Sequence, residues 1–292
     1  MFRRSYHLYA MITILCWAMA FVYTKLAIAW FSPLSLGFLR FLVASFFLIF
    51  VNLFLKIKPP KLKDLPWFAL SGAVGFYFHM LFFNIGTGYV TSATSSVIIS
   101  TIPIITALMA VVIYREWLRP YQWAAVAIEF SGILFLTLME GSLSANTGVL
   151  WLLATALVVS LYNLIQRKLT QHYSALQVSS YSIFIGTAML ALSAPEALVE
   201  VQTAPLSQLF NLFMLGVFSS TIAYVSWTKA FSLAEKTSQV SNYMFATPLA
   251  TTALAFMISG EIPGWSTVLG GVIIISGLAL FNKDMIFSVK YE

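Results

Sequence analysis

The sequence predicts an all-α polytopic membrane protein: ten transmembrane helices in two inverted five-helix repeats. Three observations carry this expectation. Of 292 residues, 60% are hydrophobic and only 9% are charged, too little polar surface to coat a soluble globule. The apolar stretches run to about 20 residues, the helical length that crosses roughly 30 Å of hydrocarbon, not the alternating segments of about ten residues found in barrels. A shift of 145 residues carries Pro103 onto Pro248, Glu116 onto Glu261 and Gly132 onto Gly277 without a gap. Each half holds five spans, an odd number, so the second copy enters the bilayer upside down relative to the first. The halves are expected at residues 1–141 and 142–292.

The elements follow in order. The first span, 8–29, comes after Arg3 and Arg4 and ends at Ala27-Ile28-Ala29. That end imitates a signal-peptide cleavage site, but removing the span would leave nine and break the repeat. The second, 32–55, opens at Ser32-Pro33 and closes before Lys58-Pro59-Pro60; the third is 65–87. In the fourth, 92–113, Ser92, Ser96 and Ser100 recur every four residues down one face ahead of Pro103, which removes a backbone donor and kinks a helix. The fifth, 120–138, starts at Arg119-Pro120, and the sixth is 148–169. The seventh, 174–194, is expected to stop at Ala194-Pro195, ahead of the eighth, 208–230. The ninth, 238–258, repeats the device of the fourth with Ser238, Ser241, Asn242 and Thr247 before Pro248, and the tenth, 263–282, follows Ile262-Pro263.

Charge sorts the loops. Arg3, Arg4, Lys56, Lys58, Lys61, Lys63, Arg115, Arg119, Arg167, Lys168, Lys229, Lys236, Lys283 and Lys290 fall on one side of the expected topology, while the opposite loops carry only Glu140, Glu196, Glu200 and Glu261. Basic residues are retained in the cytoplasm during insertion, so both termini are expected there. The net charge of +6 is thereby a topology signal, and no basic stripe interleaved with aromatics points to nucleic acid. Cys16 stands alone, and His7, His79 and His172 lack metal-ligand spacing, so neither a disulfide framework nor a metal site is expected. No phosphate loop or hydrolase nucleophile elbow is present; neither catalysis nor a cofactor is expected, and ATP-driven transport would need another subunit.

Trp17-Ala18-Met19-Ala20-Phe21, Ser32-Pro33 followed by Arg40, Pro103, Arg115-Glu116-Trp117-Leu118 and Ser131-Gly132-Ile133 occur in this order, echoed by Pro248, Gly260-Glu261 and Ser276-Gly277. On these pieces the chain resembles the drug/metabolite transporter (DMT) superfamily, in its EamA-type ten-helix branch, over essentially its whole length. The resemblance implies a carrier in the bacterial inner (plasma) membrane, often an exporter of amino acids or related metabolites. It also implies a central cavity built from spans 1, 3 and 4 and their partners 6, 8 and 9. The expected function is export of small polar or amphipathic metabolites by alternating access. An alternative is proton-coupled efflux of lipophilic or cationic drugs, and a passive channel is a third. The expected partners are a small-molecule substrate, the lipid bilayer and protons; monomer and homodimer both remain open.

Polar residues inside a membrane are costly and mark candidate sites. Arg40 reads either as a fixed charge for a carboxylate or as an interhelical clamp, since a guanidinium carries five donors. Tyr181 or a neighbour stands where its twin would fall, so the halves are unequal in charge. Glu129, near the middle of its span, is a candidate proton-coupling group or a neutral acid between helices; Gln122, Ala125, Glu129 and Gly132 share one face. His79 is a second candidate for proton coupling or for the pathway, and Lys25 is expected to snorkel. Trp17, Tyr162, Tyr224, Trp227 and Tyr243, lying deep in their spans, are pathway candidates that offer stacking surfaces, with Ser96, Ser100 and Asn242 as polar candidates. Pro103 and Pro248 are the expected kinks.

Overall fold

The computed structural model describes residues 6–114, 117–139, 147–234, 240, 242–281 and 283. Arg3, Arg4, Arg115, Glu116, Glu140, Lys236, Ser238, Ser241 and Lys290 lie outside the described residues, and Asn242 is described in its backbone only. Among the described residues every regular element is helical. Five helices form the first half: α1 (Tyr6–Ala27), α2 (Pro33–Phe54), α3 (Leu62–Tyr89), α4 (Ser92–Ile99 continued by Ile102–Tyr114) and α5 (Pro120–Met139). The second half has α6 (Thr147–Leu169), α7 (Ala175–Thr203), α8 (Leu206–Leu233), α9 (a 3-10 turn Asn242–Ala246 continued by Thr247–Ser259) and α10 (Trp265–Phe281). Seven of these, α1 to α4 and α6 to α8, are long and apolar enough to cross a bilayer.

Side-chain caps begin the helices where the sequence offers them. Ser32, Thr91 and Ser174 accept from the backbone N–H groups of Ser35, Thr94 and Gln177 at 3.4, 3.1 and 3.2 Å, satisfying donors that a helix start leaves open. The end of α9 is closed by Gly260 at φ 67°, a left-handed conformation that glycine adopts without steric cost.

The expected break at Ala194-Pro195 is not a loop. A 3-10 turn, Ala191–Ser193, leads into a further helix, Ala194–Thr203, with the proline in its first turn, where the missing N–H would have been unpaired anyway. This extension carries Glu200, whose Oε1 accepts from Ser32 N at 3.0 Å at the start of α2, where a helix favours negative charge.

Loops predicted to share a side do meet. On the basic side the Tyr173 hydroxyl donates to Asp64 Oδ2 at 2.6 Å, and Gln177 Nε2 donates to the Lys58 carbonyl at 2.8 Å. Lys168 Nζ there sits 3.3 Å from the Trp67 ring centre, a cation–π contact. On the acidic side Ala93 N donates to Glu261 Oε1 at 3.3 Å. Lys25 is there too, and it caps rather than snorkels: its Nζ donates to the carbonyls of Thr87, Gly88 and Val90 at 2.9, 3.1 and 2.8 Å, the unpaired end of α3.

α5 packs chiefly on α10, and their crossing is two-fold. A Cβ on Gly132 would stand 2.7 Å from Ile274 Cγ1, and one on Gly277 would stand 2.7 Å from Glu129 Cγ. The shift of 145 residues that carries Gly132 onto Gly277 also carries Glu129 onto Ile274. Each glycine is the notch into which the other helix inserts one side chain, as small residues permit in membrane helix pairs.

Candidate functional site

Two helices lose their regular pitch at the same place in each half. α3 contains a π-helical stretch, Ala73–Tyr77, and α8 contains another, Leu215–Ile222. Such stretches recur at functional sites because they displace backbone groups from the regular ladder. His79 and Tyr224, each two residues past one of these stretches, line one chamber between the halves with Trp17, Phe21, Arg40, Tyr162, Thr247 and apolar residues.

The polar groups of the chamber are held by those stretches. Arg40, 3% exposed, donates from Nε to Ser220 Oγ at 2.5 Å and from Nη2 to the Ser219 carbonyl at 3.1 Å, with Nη1 3.8 Å from Met80 Sδ. Every one of these partners is neutral, so among the described residues the guanidinium charge, permanent in proteins, is hydrogen-bonded without being neutralised. His79 Nδ1 lies 3.0 Å from the Gly75 carbonyl and 3.1 Å from the Tyr224 hydroxyl. A carbonyl only accepts, so Nδ1 carries the proton toward Gly75 and Nε2 is left as the acceptor. Gly75 also admits the Tyr162 ring, which a Cβ there would meet at 2.3 Å.

The chamber walls are aromatic and aliphatic. Trp17 packs on Tyr224 and Trp227 at 5.4 and 4.9 Å between ring centres, and Tyr224 packs in turn on Phe41, Phe76 and Tyr162. The broken helices contribute Ile99 and Ile102 from α4 and Met244 and Thr247 from α9, matching pairs under the 145-residue shift. Ile102 and Thr247 stand immediately before Pro103 and Pro248, each proline lying in the first turn of its resumed helix. The chamber volume is about 50 Å³, room for a few water molecules and far below the roughly 300–1,000 Å³ of pockets that hold ligands. A ligand of that size fits only if the walls move, and two of the walls, α4 and α9, are interrupted just before Pro103 and Pro248.

Of the residues singled out in the sequence, Trp17, Arg40, His79, Tyr162 and Tyr224 come together on the chamber. Trp227 backs it, stacked behind Trp17. Ser96 and Ser100 stand outside it, their hydroxyls donating to the carbonyls of Ala93 and Val97 at 2.7 and 2.6 Å, the local bonding that competes with helix geometry. Tyr243 pairs with His7 at the start of α1. Glu129 lies in the α5–α10 crossing, buried, its Oε1 without a hydrogen-bond partner among the described residues. Among the described residues no group of three or more His, Cys, Asp or Glu is placed to hold a metal. Thr247, read in the sequence as part of the polar run before Pro248, and Phe21, part of the Trp17–Phe21 motif, also line the chamber; Phe83, Ile99, Ile102 and Met244 were not singled out, and the one sequence signal among these is the position of Ile102 directly before a paired proline.

The comparisons with known proteins agree with this architecture. A crystal structure of a protein 18% identical superposes with a TM-score of 0.68, covering 96% of this chain and 99% of that one, which shows the fold. A probable terminal-alkyne amino-acid exporter of Streptantibioticus cattleyicolor is 29% identical over 272 residues, 93% of this chain and 91% of that protein. An uncharacterized transporter of Archaeoglobus fulgidus is 30% identical over 290 residues, 94% of this chain and 96% of that protein. An S-adenosylmethionine uptake transporter of Rickettsia prowazekii is 28% identical over 218 residues, 74% of this chain and 72% of that protein. Residues 4–138 and 146–283 each match the model of one family, and the chain belongs to it: the EamA-like transporter family.

Proposed function

We propose that the protein is a secondary transporter that exports small metabolites bearing a carboxylate, amino acids or their relatives, by alternating access. It works from the inner (plasma) membrane with both termini in the cytoplasm. One observation carries the substrate class: Arg40 presents a buried cation to the chamber with only neutral hydrogen-bond partners. A carboxylate entering the chamber supplies the missing charge through the strong, charge-assisted pairing that guanidinium groups favour, and the aromatic walls receive the side chain. Two relatives, a probable terminal-alkyne amino-acid exporter and an S-adenosylmethionine uptake transporter, have cargoes with that carboxylate in common. The other reading, efflux of lipophilic cations, loses its acidic group, because Glu129 lies at the α5–α10 crossing away from the chamber.

The test is ligand-dependent stability followed by transport. Binding to the folded form raises its apparent stability, so neutral amino acids with bulky side chains are expected to raise the melting temperature of the purified protein and to drive counterflow in proteoliposomes. Arg40→Gln is expected to abolish both effects. Stabilisation and counterflow by a lipophilic cation, with none by amino acids, would overturn the assignment.

A further inference from the structure

Two layers of opposite chemistry flank the chamber along its helices: Phe21 and Phe83 line it directly, and a polar layer follows the lining residues Tyr162 and Tyr224. Toward the acidic side, one turn beyond Trp17 on α1 and His79 on α3, Phe21 and Phe83 meet edge to face at 5.3 Å between ring centres. Helices α6 and α8, first and third of the second half as α1 and α3 are of the first, run the opposite way. Within one turn beyond Tyr162 and Tyr224 on them, toward the basic side, the chain is polar, and Gln166 and Thr228 hold the positions that Phe21 and Phe83 hold under the 145-residue shift. There Trp227 Nε1 donates to Asn163 Oδ1 at 3.4 Å, Thr228 Oγ1 donates to Gln166 Oε1 at 3.3 Å, and Ser179 Oγ lies 2.7 Å from Thr228 Oγ1. Asn163, Gln166, Ser179 and Thr228 are all fully buried, and Asn163 Nδ2 and Gln166 Nε2 have no hydrogen-bond partner among the described residues.

A buried amide donor without an acceptor destabilises the fold, a penalty that water or the polar end of a cargo removes. The Phe21–Phe83 layer has no such need; two rings in contact exclude water and offer a passing carboxylate nothing to replace its hydration. An inverted repeat with equal halves would carry the same layer on both sides.

We propose that the two layers are unequal gates. The Asn163–Gln166–Thr228 layer is a loading subsite on the basic side, where amide donors receive the carboxylate or carbonyl oxygens of the cargo, and Phe21–Phe83 is a dry seal on the acidic side. This deepens the transport reading and rests on it: cargo reaches Arg40 through a hydrated layer on one side and leaves past a seal that opens only when the helices move.

The test reads access to the chamber and needs no substrate. In a Cys16→Ala background, which removes the single native thiol, Ala20→Cys places a reporter on the chamber wall. A charged, membrane-impermeant methanethiosulfonate reagent is added to the reconstituted protein from the side carrying Lys58 and Lys61 or from the side carrying Glu200 and Glu261. Modification from the basic side is expected to be about tenfold faster, the ratio of a modest difference in opening equilibria. Phe83→Thr is expected to raise the acidic-side rate, and Thr228→Phe to lower the basic-side rate. Should Thr228→Phe fail to fold, the Phe83→Thr arm still decides. Equal rates from the two sides, a faster rate from the acidic side, or an acidic-side rate unmoved by Phe83→Thr overturns the proposal. Loss of amino-acid counterflow with the rate asymmetry intact would overturn the substrate assignment and leave the gates standing.

Discussion

His79 and Tyr224 meet across the chamber, imidazole Nδ1 3.1 Å from phenol oxygen, so a single polar contact joins the third helix of one half to the third helix of the other. Both residues sit next to π-helical stretches, Ala73–Tyr77 and Leu215–Ile222, the points where α3 and α8 depart from regular pitch. The contact therefore joins α3 and α8 beside the places where each is least regular.

Removing the phenol oxygen tests this junction. Tyr224→Phe keeps the ring packing, and His79 Nδ1 keeps the Gly75 carbonyl, so the stability cost is expected to be about 1 kcal/mol, read as a small fall in melting temperature. The counterflow rate is expected to change more than the stability does. A melting temperature lowered as far as by His79→Ala would contradict the view that Gly75 holds the imidazole independently.

The α5–α10 crossing gives an opposed pair of variants. Gly277→Ala places a methyl group 2.7 Å from Glu129 Cγ and 2.9 Å from the Ala125 carbonyl oxygen; backbone cannot yield cheaply, so overpacking is expected to cost about 1–3 kcal/mol. Glu129→Gln preserves shape, and because the residue stands apart from the chamber, the pH dependence of transport is expected to be unchanged. A flattened pH profile in Glu129→Gln vesicles would instead make this carboxyl a coupling group.

Tyr173 predicts an alkaline limb of stability. Its hydroxyl donates to Asp64 Oδ2 at 2.6 Å and accepts from Lys61 N at 3.2 Å, and the bond to the Asp64 carboxylate holds the phenol above its usual value of 10.0. A phenol raised in the folded state contributes its full stability below about pH 10 and loses it as pH rises through the folded-state value. Tyr173→Phe is expected to be less stable at neutral pH and to show a shallower loss above about pH 10, checked by thermal unfolding across that range. An unchanged alkaline limb would assign it to other groups.

Lys25→Met tests the cap on α3. The side-chain length is kept while three donations to carbonyls are lost, an expected cost of about 1–2 kcal/mol for a cation at a helix C-terminus. Amide exchange is expected to rise at Thr87, Gly88 and Tyr89 and to stay unchanged at the distant start of α3. No change at Thr87 would show that the carbonyls find other donors.

Much of the architecture was legible in the residues. Ser32-Pro33 marked the start of α2, Pro103 and Pro248 marked the breaks in α4 and α9, and the sorted charges put Asp64 with Tyr173 on one side and Ala93 with Glu261 on the other. The site was legible only in part. Arg40, His79, Tyr162 and Tyr224 stand out because polar atoms are rare in such spans, but the same rule drew attention to Ser96 and Ser100, which satisfy themselves on their own backbone. Asn163, Gln166 and Thr228 are equally polar and went unremarked.

What one-dimensional information determined is the set of apolar spans, the sorting of charge between their loops and their duplication, because the length of a hydrocarbon-compatible run and the placement of charge are properties of the chain read in order. Tertiary structure decided which faces of those spans look at one another. Rotation of a helix about its axis depends on the notches and knobs of its neighbours, as Gly277 receiving Glu129 shows, and no local pattern records the partner. That rotation put Arg40 into the chamber with neutral company, carried Glu129 away from it, and set two phenylalanines on one side of the chamber against two amides on the other.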